Sequence, residues 1–309
     1  MKLFDLHCDT PLKLYNEKSS LSDSPFHISL SKACSFEKYV QVAAVWSEDH
    51  LSDDQCFDTF LAASDYFANE AEGLTAAFRD ELLHSDKNAF ILAVEDSRLI
   101  SRDPCGGLLR LYDRGVRVLT LVWGGISAIG GAWDTDQPLS PLGMQVLDAC
   151  FSLGIIPDIS HANEKVAAYT VKRAKEKGFP IIASHSNAQA VYPHKRNLPD
   201  TFARALADIG SVIGISLCPA HISSSGAKIP DIISHIKHYI NICGSEAVAL
   251  GCDFDGISRT PEGINNISDL RYLYDALTKE VGFSLTHRVF YQNAYNFFIN
   301  NLPTQKERS

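Results

Sequence analysis

No two cysteines in this chain of 309 residues are spaced C-x-x-C, and the eight present, from Cys8 to Cys252, follow no regular interval. That argues against a zinc ribbon and against a disulfide framework, and reads as free thiols in a reducing compartment, of which the cytoplasm is the simplest. No apolar run approaches the roughly 18 residues of a membrane-spanning helix. The first apolar stretch is broken by Asp5, His7 and Asp9, so no secretory leader is expected, and the polar end LPTQKERS shows no anchor signal. Lys and Arg never run to three in a row, and the net charge is −9. A nucleic-acid partner needs a basic face, so none is expected. There is also no G-x-G-x-x-G after the first apolar run, which removes the main sign of a dinucleotide-binding open sheet. Pro-, Gly- or Ser-rich linkers are missing too, so one domain over residues 1–309 is expected.

What the chain does have is a rhythm. With 45% apolar and 21% charged residues it has the makings of a sizeable core. Eight short apolar runs recur: LFDL (3–6), YVQVAAVW (39–46), AFILAV (89–94), VRVLTLV (116–122), GIIPDI (154–159), PIIAS (180–184), SVIGIS (211–216) and AVALGC (247–252). Several are apolar on both faces, as parallel strands covered by helices must be. Helical patterning fills residues 53–83, 141–153, 163–177, 199–209, 228–243 and 267–281, and a last amphipathic helix is expected at 285–300. Pro11 is expected to interrupt the pattern after the first run. Eight such alternations predict an α/β fold of the (β/α)8 type, a TIM-like barrel. Long loops are expected at 124–141 and 186–198.

The residues at the run ends carry the chemistry. The first run ends in His7 and Asp9, the third in Glu95, the fifth in Asp158 and His161, the sixth in His185, the eighth in Asp253 and Asp255. In a parallel barrel all of these fall on the C-terminal rim, where barrel active sites lie. One strand-end histidine is an ordinary polar cap. Three, with carboxylates at matching ends, make a set for one or two divalent ions. Glu95 ends an apolar strand, where an unpaired charge is costly, and a carboxylate can bridge two cations. His7 and Asp9 share a strand face, so they pair on one ion, while Cys8 between them points to the helices. His161 and His185 share the other ion. Asp158 is read as structural, His235 and His238 as packed or solvated, and His27, His50, His84 and His287 as surface or loop residues. His194 and His221 lie in rim loops within possible reach of substrate.

The stretches DLHCDT (5–10), AVED (93–96), LTLVW (119–123), LSPLG (139–143), DISHAN (158–163), ASHSNA (183–188), KRNLPD (195–200) and GCDFDG (251–256) together resemble the membrane (renal-type) dipeptidase family of metallopeptidases, within the amidohydrolase-like barrels. The resemblance spans nearly the whole chain. It implies two zinc ions bridged by Glu95, with His7 and Asp9 on one and His161 and His185 on the other; manganese or cobalt would suit the same ligands. It implies dipeptide hydrolysis by a metal-bridging hydroxide, including substrates with a D-residue at the C-terminal side. Asp253, preferred to Asp255 because it directly follows the strand, would relay the proton to the leaving amine. Arg196 would hold the substrate's C-terminal carboxylate, and Asn197 and Trp123 complete the substrate-binding set. The family also suggests a homodimer. Two departures stand out. Trp123 stands where mammalian-type members carry a histidine, and Leu217 and Cys218 stand where they carry a tyrosine. The second reading these motivate is an amidohydrolase for another amide, such as an N-acyl amino acid; the third is a metal-stabilised barrel without catalysis.

Overall fold

Eight parallel strands close on themselves in chain order in the computed structural model, which describes residues 1–85 and 88–304. They are β1 (Lys2–Cys8), β2 (Lys38–Trp46), β3 (Asn88–Glu95), β4 (Val116–Thr120), β5 (Ile156–Asp158), β6 (Ile182–Ala183), β7 (Val212–Ile215) and β8 (Val248–Leu250). Each expected run therefore holds a strand, and the barrel is the expected (β/α)8 architecture. The polar end at residues 305–309 lies outside the described residues.

Alternation divides the strand side chains into two layers. Phe4, Leu6, Val40, Val42, Ala89, Ile91, Val118, Ile156, Ile182, Val212 and Ala249 form one apolar cluster with Phe297 and Phe298 of the last helix. This is the barrel interior, and the C-terminal helix plugs its N-terminal end, with the Phe4 and Phe298 rings stacked at 5.0 Å. Burying each of those rings contributes on the order of 2–3 kcal/mol. The other layer, with Leu3, Tyr39, Ala43, Phe90, Ile213 and Val248, lies between barrel and helices. Cys8 joins that outer layer, as expected.

Helix boundaries follow local chemistry. The Ser52 hydroxyl and Gln55 make a capping box at the start of Asp53–Glu70. Asn163 caps Glu164–Lys177, which ends on Gly178 at φ +63°. Two expectations need correction. Pro11 does not interrupt structure; it sits in the first turn of a helix, Thr10–Glu17, where its missing N–H costs nothing. The segment 53–83 is two helices, because Gly73 at φ +74° turns the chain and residues 74–76 run beside β3, with Phe90 N–H bonded to Leu74 O and Ala76 N–H to Phe90 O. The last helix, expected at 285–300, runs without a break over 283–301, with one wide π-helical turn at Arg288–Gln292. A further helix, Pro104–Asp113, links β3 to β4.

Candidate metal centre and active site

The rim of the barrel is assembled by departures from regular strand geometry. Along β1, Asp5 pairs with Gln41 of β2, but Cys8 pairs with Ala43. Three steps on β1 thus match two on β2, a bulge that reverses the facing of everything beyond it. Without it, His7 would share the outward face of Leu3 and Asp5; with it, His7 and Asp9 turn inward. On β6 the ladder stops at Ala183. The chain then bends inward so far that a Cβ on Gly214 or Gly251 would lie 1.8 or 1.7 Å from the Ser184 carbonyl oxygen. Only glycine fits at those two neighbours, and the bend is what brings His185 to the centre. His161 and Asp253 sit at φ +68° and +63°, a left-handed conformation that costs energy for residues with a side chain.

Three imidazoles converge on one buried carboxylate oxygen. Glu95 Oε1 lies 2.9 Å from His161 Nε2, 3.4 Å from His185 Nε2 and 3.6 Å from His7 Nε2. His7 Nε2 is also 3.4 Å from Asp9 Oδ2, and Asp253 joins His7 and Asp9 within 4.8 Å. Backbone bonds continue the β1–β8 seam past the strand ends, Asp9 N–H to Phe254 O and Asp253 N–H to His7 O, so the two carboxylates are set side by side.

The tautomers follow from the partners. His161 Nδ1 faces the Trp123 carbonyl at 2.9 Å, and a carbonyl only accepts, so Nδ1 carries the proton and Nε2 a lone pair. His185 Nδ1 faces Ser184 Oγ at 2.7 Å, while that hydroxyl donates to Asp158 Oδ2 at 2.6 Å; Nδ1–H therefore donates and Nε2 is again bare. The two bare nitrogens stand 2.9 Å apart beside the Glu95 oxygen. Lone pairs directed at one another repel unless a cation lies among them. His7 Nε2 and Asp9 Oδ1 are buried with no hydrogen-bond partner among the described residues, which makes the same demand. The electrostatics agree. Burial pushes the His161 and His185 imidazoles below their ordinary value, His185 furthest. Burial and the Glu95 charge raise Asp9 to about 6, and burial with the charges of Asp9 and Glu95 pushes Asp253 well above the carboxylate range. Burial opposes charge on Glu95 too, but the His7 charge beside it holds its carboxyl well below the usual carboxylate range. Donor types, spacing and orphaned atoms all fit divalent cations.

Asp158 accepts four hydrogen bonds, from Thr120 Oγ1, Ser160 N, Ser184 N and Ser184 Oγ. It is structural, as expected, but its structure serves the centre: it fixes the tautomer of His185 through Ser184. Asp255 is fully engaged elsewhere, accepting from Thr10 Oγ1 and from the His27 backbone, so it ties down the loop at 27 while Asp253 stays with the cluster.

A cavity of about 760 Å³ opens over the cluster. Asp9, Glu95, His161 and Asp253 form its floor, and Arg196, Trp123, Trp46, His221 and Cys218 line it. Arg196 is 6% exposed and, among the described residues, makes no ion pair within 4.0 Å. Asn197 is not part of this lining. Its amide donates to the carbonyls of Tyr192 and His221 and braces the two rim loops, and its side chain borders, with Arg196 and His161, an adjoining cavity of about 400 Å³. Trp46 lines the cavity as well, and its place as an aromatic at the end of the second run is the sequence signal for it. His221 does reach the cavity, and burial together with the Arg196 charge pushes its imidazole down to about 2, so it is neutral.

Fold and site define a metal-binding (β/α)8 hydrolase of the metallopeptidase type. The sequence profile of the membrane dipeptidase family, peptidase family M19, matches residues 1–296, and the chain belongs to that family. It is 34% identical over 183 residues to a protein from the pqqA 5′ region of Klebsiella pneumoniae, covering 55% of this chain and 66% of that one. It is 32% identical over 171 residues to dipeptidase aclJ of Aspergillus oryzae, covering 52% and 39%. The matched segments thus span from about two-fifths to two-thirds of these relatives. Its fold is similar to that of a metallopeptidase from Rhodobacter sphaeroides crystallised with a phosphinate mimic of the dipeptide L-Ala-D-Ala, with a TM-score of 0.85, 22% identity, and coverage of 98% of this chain and 99% of that one.

Proposed function

We propose that this chain is a dipeptidase that works with two zinc ions on short peptides carrying a free C-terminus. The observation that carries this reading is the convergence of three buried imidazoles on Glu95 Oε1, under a cavity that also holds the unpaired Arg196. His7 and Asp9 would hold one ion, His161 and His185 the other, with Glu95 between them. When bound, the ions supply Lewis acidity and a water acidic enough to attack near neutral pH. The protein's own groups do the rest. Arg196 offers a planar fork of donors in a buried setting, suited to a terminal carboxylate, and so sets which bond lies over the cluster. Asp253 takes the proton of the attacking water and delivers it to the leaving amine. Trp123, Trp46 and the loops around them keep bulk water from the bond. The buried cysteine thiols Cys8, Cys56, Cys150 and Cys252 support a reducing compartment.

Metal analysis joined to a screen of L,L and L,D dipeptides against N-acyl amino acids tests the reading. Dipeptide turnover that stringent chelation abolishes is expected, and Arg196→Ala is expected to raise KM about a hundredfold, the scale of a buried charge-assisted contact. Turnover that survives chelation, or rapid deacylation with no dipeptide cleavage, sinks it.

A further inference from the structure

The cavity over the cluster is larger and more apolar than two small residues require. At about 760 Å³ it falls within the roughly 300–1,000 Å³ of sites that enclose drug-sized ligands. Its apolar lining is not spread evenly. Trp46 ends β2 and Trp123 follows β4, so the two indoles flank Glu95 of β3. Their ring centroids are 4.7 Å apart at 48°, and the Trp123 ring lies over His161 at 5.9 Å and 28°. Trp123 is further fixed because its carbonyl accepts the His161 Nδ1 proton. The pair is thus a rigid aromatic wall built onto the centre itself. Trp46 Nε1 has no hydrogen-bond partner among the described residues, which marks a ring placed for its face and not for its polar edge.

Position in the barrel says which part of a substrate meets this wall. In a closed ring of eight strands in chain order, β2 stands opposite β6. Arg196 comes from the loop after β6. A dipeptide whose carboxylate is held by Arg196, with its peptide bond over the cluster, extends its amino-terminal residue toward β2. We propose that Trp46, backed by Trp123, receives the side chain of the substrate's amino-terminal residue and selects an aromatic one. This rests on the dipeptidase reading for the direction of the chain, and on the two indoles alone for the kind of side chain.

The test uses the metal-loaded protein and two readouts. Binding is measured by calorimetry with uncleavable analogues of Phe-Ala, Ala-Phe and Ala-Ala, in which the peptide C=O is reduced to CH2. Hydrolysis is measured as kcat/KM on the three parent dipeptides. The Phe-Ala analogue is expected to bind about tenfold tighter than the Ala-Ala analogue, the scale of one stacked ring with its buried area. The Ala-Phe analogue should show no such gain, and kcat/KM should follow the same order through KM. Trp46→Leu should erase the ratio and Trp46→Phe should keep most of it. Because each ratio is taken within one protein, a general loss of activity does not mimic the result. Equal affinities, a gain for Ala-Phe in place of Phe-Ala, or a ratio that survives Trp46→Leu overturns the proposal. Selective binding without hydrolysis overturns the dipeptidase reading and leaves the wall standing; hydrolysis without selectivity does the reverse.

Discussion

The first four strands and the last four are built differently. β1 to β4 run for 7, 9, 8 and 5 residues, and β2 and β3 pair over eight consecutive positions. β5 to β8 run for 3, 2, 4 and 3 residues, and β5 meets β6 at the single pair Asp158–Ile182. The first half is held by backbone ladder and apolar side chains. The second half replaces much of the ladder with side-chain bonds, four of them to Asp158. That half also holds His161, His185 and Asp253, the two left-handed residues among them, and the inward bend at Ser184. A regular ladder points side chains in only two directions. Convergence on one carboxylate oxygen needs other directions: in the first half a single bulge re-aims His7 and Asp9 toward Glu95, while in the second half the ladder is given up and a buried polar network takes its place.

Four substitutions would break or sharpen this contrast. Glu95→Gln removes the charge on which both halves converge; activity should fall about a thousandfold, roughly 4 kcal/mol, with loss of bound metal by elemental analysis. Full metal content with near-normal turnover would remove Glu95 from the centre. Asp158→Ala strands four donors, three in the second half and Thr120 Oγ1 on β4, and urea unfolding should show a loss of about 4 kcal/mol along with weaker metal binding. A loss below about 1 kcal/mol would mean that the network does not replace the ladder. Ser184→Ala frees the His185 tautomer while leaving most bonds to Asp158, so the effect should be about tenfold in metal affinity, read by competition with a chelating dye. Ile91→Val in the first half should cost about 1 kcal/mol in the same urea experiment with unchanged metal content, since Ile91 only fills the interior. Altered metal binding in that variant would show that the two halves are not separable.

Much of this was legible in the sequence. All eight strands show as short apolar runs, because a strand covered on both sides can hold little else. His7, Asp9, Glu95, His161, His185 and Asp253 show as polar residues at run ends, because a parallel barrel delivers every C-terminal end to one rim. Helix division within 53–83 was hidden: Gly73 is one residue in a long apolar pattern, and the pairing of residues 74–76 with Phe90 is a contact across the fold. The role of Asn197 was hidden for a related reason. Its neighbour Arg196 enters the cavity, and only the path of the two rim loops decides that the next side chain braces them. Asp158 reads as structural from its place on the fifth run, but nothing local to DISH shows that Ser184 carries its influence to His185.

HCD in the first strand marks the division between what residue order determines and what the fold decides. Its order alone determined that a histidine and a carboxylate two apart would share a face, since alternation is a property of the extended backbone. Which face that would be was decided by the bulge between Asp5 and Cys8, where β1 spends three residues against two of β2. The same holds at His185, whose inward turn depends on Gly214 and Gly251, far from it along the chain, leaving room for the Ser184 carbonyl. Ligand types and barrel class are local and periodic, so they can be read from residue order. The convergence of six side chains on one point depends on register and close approach between strands, which exist only once the barrel has closed.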